Sequence, residues 1–151
     1  MTAEQPIEDV MAAIGPAMNL GEVRAYAALS AWALVLDEDR IVFAELDRDE
    51  GRLWLSSEIA PLPQAGRLEL LERLMTFNGQ WHEAGSYRLA LDDTQANLLL
   101  ACDLRAEGLR VEWLQTAMTN FLGALAAWQG IVAAKGQGAQ SPLPSGAVIR
   151  A

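Results

Sequence analysis

Few residues in this chain have the types that do chemistry, and their spacing argues against most of it. His82 is the single histidine and Cys102 the single cysteine among 151 residues. A serine hydrolase needs a base beside its nucleophile, yet His82 stands in Trp81-His82-Glu83 with no Gly-x-Ser-x-Gly turn anywhere in the chain. One His and one Cys are too thin a set for structural zinc, and a lone cysteine closes no internal disulfide. Asp47, Asp49 and Glu58 mimic the first, third and twelfth positions of a calcium loop, but Gly51 falls at the fifth position instead of the sixth. A hairpin turn explains those residues better. The pair Asp92-Asp93 has the composition for acid/base work, but it too sits where a hairpin must turn. Phosphate-binding glycine loops are absent. The expectation is no catalytic residue, no metal, no cofactor and no enzyme.

Charge narrows the partners. Eleven basic against twenty acidic residues give a net charge of −9, and Lys135 is the only lysine. No basic stripe is available to neutralise phosphates, so nucleic acid is not an expected partner. Hydrophobic residues nevertheless make up 52% of the chain, which suggests more apolar surface than one core needs. The N-terminus is acidic and periodic where a secretory signal would be basic and continuous, and the run AWALVL ends at Asp37. Neither a signal peptide nor membrane insertion is expected, and the localisation implied is cytoplasmic.

The elements that must position everything else are legible from periodicity. Ile7, Val10, Met11 and Ile14 form one helical stripe, which Gly15-Pro16 should end or kink; an unbroken helix to Met18 is the alternative, at a cost of about 3 kcal/mol for an interior proline. Strands are expected near 27–36, 40–47 and 52–59, joined by the turns at Asp37–Arg40 and Asp47–Gly51 into an antiparallel meander. Leu68, Leu71, Leu74 and Met75 mark a helix over about 65–78, with Leu70 and Phe77 as a second apolar side. Two further strands, 87–91 and 96–104, precede a long helix whose Leu114, Met118, Phe121, Leu125, Trp128 and Val132 step by four and three along one face. The fold class is α+β: helix, three-stranded meander, helix, two strands, long C-terminal helix. Residues 1–134 are expected to form one domain, and the Gly-, Pro- and Ser-rich residues 135–151 a flexible tail.

That order of elements, with the LDEDR turn at 36–40, LWLSSEIAPLP at 53–63, LERLMTFNG at 71–79 and FLGALAAWQGIV at 121–132, resembles the class I type III secretion chaperones, the CesT/Tir-chaperone family. The FNGQWH stretch at 77–82 is similar to the branch that regulates secretion genes by sequestering an anti-activator. Arg40, where the family's first hairpin usually has glycine, and the Gly15-Pro16 interruption depart from the pattern.

The resemblance implies a chaperone that binds the N-terminal region of a secreted effector and keeps it soluble and secretion-competent, or alternatively one that holds an anti-activator. It implies a homodimer whose contact falls on Leu70, Leu74, Phe77, Trp81, Tyr87, Leu89 and Leu91. Partner-binding candidates are Val10, Met11 and Ile14 on the first helix and Trp32, Phe43 and Trp54 on the sheet's outer face. A small carboxylate enzyme and a structural subunit are the readings from other classes.

Overall fold

The computed structural model describes residues 6–80 and 86–136. Its elements run α1 (Ile7–Met18), β1 (Glu22–Tyr26), a single 3-10 turn (Ala27–Leu29), β2 (Ala31–Val35), β3 (Ile41–Asp47), β4 (Arg52–Pro61), α2 (Arg67–Gly79), β5 (Arg88–Leu91), β6 (Asn97–Arg105) and α3 (Val111–Gly136). The strands form one six-stranded sheet in the order β1-β2-β3-β4-β6-β5. The α+β class and the order of helices are as the sequence implied.

Three boundaries differ. An extra strand, β1, precedes the expected meander: EVRAY has almost no buried side chain, and its alternation rests on Val23 and Ala25 alone, too short to stand out. The first expected strand is instead split, because Ala27–Leu29 turn and Ser30 adopts a left-handed conformation with φ 49°. The helix α1 does not stop at Gly15-Pro16 but runs to Met18 and is closed by Asn19 in the left-handed region. Burial of Val10, Met11 and Ile14 offsets the proline's cost. Gly15 serves packing there, since a Cβ would lie 3.1 Å from the Val23 side chain.

The chain divides into two compact units, one gathering the residues up to Ser57 with Asp103–Thr119, the other Glu58–Cys102 with the chain from Asn120. In the first, β1, β2, β3 and β4 pair antiparallel in sequence order. Asp47 turns the β3–β4 hairpin by accepting hydrogen bonds from the Asp49 and Glu50 backbone N–H groups at 3.1 and 3.0 Å, with Gly51 at φ 65°. The calcium-like spacing is therefore turn chemistry. Arg52 donates from Nε to Asp103 at 2.6 Å, and its Nη2 pairs the same carboxylate.

In the second unit α2 turns Leu70, Leu74 and Phe77 inward, and Phe77 meets Trp128 of α3 edge-on. Tyr87 stacks on Phe121 with centroids 6.3 Å apart, and burial pushes its hydroxyl well above the ordinary tyrosine range. Asp92 organises the β5–β6 turn by accepting from Thr94 Oγ1 at 2.8 Å and from Asn97 Nδ2 at 2.7 Å. Again the carboxylate builds a turn. α3 over Val111–Ala134 is also long and apolar enough to cross a bilayer, which the sequence reading, stopping at AWALVL, overlooked. Its stripe of Leu114, Met118, Phe121, Leu125, Trp128 and Val132 is buried within the chain, as in a core helix. The helix enters the expected tail by two residues, and the remainder of that tail lies outside the described residues.

Candidate partner-binding surface

The strand register places one face of the first unit in view. Across β1 to β4 the rows Arg24-Ala33-Phe43-Ser56 and Tyr26-Ala31-Glu45-Trp54 share that face. Phe43 and Trp54 are diagonal neighbours on adjacent strands, close enough for aromatic side chains to act as one patch. They are 46% and 39% exposed, and Ile41 beside Phe43 is exposed as well. Leu53 and Leu55, which flank Trp54, are fully buried. The alternation expected for Trp54 is therefore the observed one.

Charged groups border this patch. Glu22 accepts from Arg24 at two points, 2.8 and 3.2 Å, and the hydrogen bond from Arg24 lowers the Glu22 carboxyl below its usual range. Arg24 in turn is held charged by Glu22 first and Tyr26 second. On the opposite side of the same strands lies a recess of about 450 Å³ lined by Ala12, Val23, Ala25, Ala27 and Trp32. Its rim is Arg48, which donates to Glu8 at 2.9 Å and to the Ser30 hydroxyl at 3.3 Å. Glu8 is lowered by its own backbone N–H, with Arg48 contributing next. Such an arrangement can grip extended apolar peptide; among the described residues no group of His, Cys, Asp and Glu gathers to hold a metal.

Four of the six partner-binding candidates point inward, although Trp32 still lines the recess. Val10, Met11 and Ile14 are fully buried and Trp32 nearly so, because the helix stripe turns inward and Trp32 alternates onto the inner face with Leu34. The dimer candidates are displaced in the same sense. Leu70, Leu74, Phe77, Tyr87 and Leu89 are buried in the second unit, Leu91 is half-buried, and Trp81 lies outside the described residues. The side of α2 that does face solvent carries Leu68 and Met75, each 71% exposed. Beside it Leu71, Met75, Leu89, Leu91 and Leu98 line an apolar recess of about 250 Å³. Those solvent-facing residues were visible in the helical stripe, but nothing in the periodicity told which apolar side was outer. Trp113, 60% exposed under the Arg110 guanidinium, was missed altogether.

The sequence profile of the Tir chaperone protein (CesT) family matches residues 28–129. The chain belongs to that family. Membership makes this protein a type III secretion chaperone, and the family is one of chaperones and not of enzymes. Solved structures agree with this CesT-family fold. A chain of the ExsC-ExsE complex superposes with a TM-score of 0.72 at 19% identity, over 87% of this chain and 97% of that one. A chain of the HopA1-SchA chaperone-effector complex gives 0.66 at 14% identity, over 82% and 93%. One from the heterodimeric ExoU-SpcU complex of the Pseudomonas aeruginosa type III secretion system gives 0.59 at 17%, over 84% and 98%. No curated protein matches the sequence. The profile begins after α1 and β1, so the recess those two elements help to line lies partly outside the matched stretch.

Proposed function

We propose that this protein is a cytoplasmic chaperone that holds the N-terminal region of a type III secretion effector in extended form. The observation that carries this is the exposed aromatic pair Phe43 and Trp54 on a sheet whose terminal strand, β1, has an apolar recess on its other side. An extended segment joining β1 by main-chain hydrogen bonds would send alternate side chains to the two faces. Those entering the recess would meet Val23, Ala25 and Trp32, and those on the outer face would lie beside Arg24 and Tyr26, while the aromatic pair on β3 and β4 would take a further apolar segment of the client. Binding of this kind needs neither cofactor nor nucleotide. The working form we propose is a homodimer joined through the solvent-facing side of α2, where Leu68 and Met75 are unpaired with any core.

A second reading is a regulatory chaperone that sequesters an anti-activator. It is favoured by the FNGQWH stretch at 77–82 and by the likeness to a chain of the ExsC-ExsE complex. One experiment separates the two. Co-purification from the native host, followed by mass spectrometry, should recover a secreted effector on the first reading and a regulator of secretion-gene transcription on the second. Recovery of neither class, with the chaperone intact, would overturn both.

A further inference from the structure

The sheet ends in two terminal strands, β1 and β5, and they are finished differently. On β5, the antiparallel register with β6 pairs Arg88, Leu89, Ala90 and Leu91 with Ala101, Leu100, Leu99 and Leu98. The turn bond from Asp92 N–H to the Asn97 carbonyl sets the alternation, so Ala90 and Arg88 point their main-chain groups toward β6 while Leu89 and Leu91 point theirs away. Leu89's outward groups do not stay open. Asn78, near the end of α2, donates from Nδ2 to the Leu89 carbonyl at 2.7 Å and accepts from the Leu89 N–H at 2.9 Å. A single carboxamide thus takes both hydrogen bonds that one residue of an added strand would make.

The clamp stands where an open edge would be most adhesive. The apolar recess between α2 and β5 includes Asn78 itself, with Leu71, Leu74, Met75, Leu89 and Leu91 around it. An unpaired edge beside such a recess is a template for unwanted strand pairing, and natural sheets blunt their edges for that reason. Among the described residues β1 carries no comparable side-chain clamp on its main chain.

We propose that Asn78 is a specificity-determining residue: its carboxamide closes the β5 edge to main-chain pairing and leaves β1 as the edge an extended partner can join. The β1 half of this rests on the chaperone reading above; the β5 half does not. A second copy docking on α2 and β5 then meets side chains instead of an open strand.

The test uses the full-length protein alone, with its own second copy as the probe. Asn78→Ala should speed hydrogen exchange at the Leu89 amide in dilute protein. At higher concentration it should tighten self-association by roughly tenfold or more, or add species above the wild-type mass, since each freed edge gains main-chain hydrogen bonds. Adding Leu91→Pro, which removes an outward N–H from the same edge, should return self-association to the wild-type level. Should Asn78→Ala fail to fold, the near-isosteric Asn78→Leu, which has neither donor nor acceptor, is read by the same measurements. Self-association that is unchanged or weaker, or that Leu91→Pro leaves in place, would overturn the assignment. Because no client enters the experiment, a failure to find an effector leaves this result standing.

Discussion

Phe77 at the end of α2 meets Trp128 of α3 edge-on, with ring centroids 5.0 Å apart and planes at 72°. The contact locks the two helices of the second unit together, and Trp128 is its largest fully buried side chain. Among the described residues the Trp128 Nε1–H has no hydrogen-bond acceptor. Truncating Phe77→Ala should therefore cost about 3–5 kcal/mol through the cavity it leaves. Trp128→Phe should cost less, under about 2 kcal/mol, because the volume lost is partly offset by removing a buried unsatisfied donor. Denaturant melts of both variants check the order; a larger loss for Trp128→Phe would mean the indole N–H is satisfied in solution.

Asp92 supplies a pH-dependent contribution. Hydrogen bonds from Asn97 first and Thr94 second bring its carboxyl from 3.8 down to about 2. A lowered folded value means the ionised form is stabilised by folding, so the contribution is complete above 3.8 and is lost as pH falls through about 2. Asp92→Ala should be less stable than wild type at neutral pH, with the gap in melting temperature closing over that acid window. A gap that stays constant down to pH 2 would assign the turn's stability to something other than this carboxylate.

Trp54 separates binding from folding. With its side chain on the outer face, Trp54→Ala should change stability by less than about 1 kcal/mol. Capture of a verified client should weaken by about 1–3 kcal/mol. Pull-downs and melts on the same variant decide it: unchanged capture would remove the aromatic pair from the binding surface.

Met75 and Leu74 are adjacent in sequence and opposite in consequence. Met75→Glu places a charge on the solvent-facing side of α2 and should leave the fold within about 0.5 kcal/mol while dissociating the proposed dimer. Leu74→Glu buries a charge in the second unit and should unfold it, at a cost of several kcal/mol. Sedimentation with circular dichroism distinguishes the two. A Met75→Glu dimer as tight as wild type would place the contact elsewhere.

Much of this architecture could be read from the chain before any coordinates. The four-three stepping from Leu114 to Val132 marked α3, the Asp-rich turns at 37–40 and 47–51 marked two hairpins, and the alternation Leu53-Trp54-Leu55 placed Trp54 on the outer face. Each of these is a local periodicity or a turn propensity, decided by residues within a few positions of one another. The strand EVRAY escaped because its alternation rests on two small apolar positions, Val23 and Ala25, and its pairing with Ala31–Val35 is what makes it a strand.

The choice between two apolar faces is a different kind of question. On α2 the sequence offered Leu68, Leu71, Leu74 and Met75 on one side and Leu70 and Phe77 on the other, and the structure buries Leu74 with the second set. Only the arrival of Trp128, distant along the chain, made Phe77's side the inner one. Val10, Met11 and Ile14 likewise form an apolar stripe that suits a client groove as well as a core, and the fold took it for the core. By itself the sequence determined the kind and order of the elements after β1 and the turns that join the hairpins. Which stripes are buried, and hence which aromatic side chains remain for a partner, was decided by the tertiary structure, because burial depends on what packs opposite a residue and periodicity records only which residues share a side.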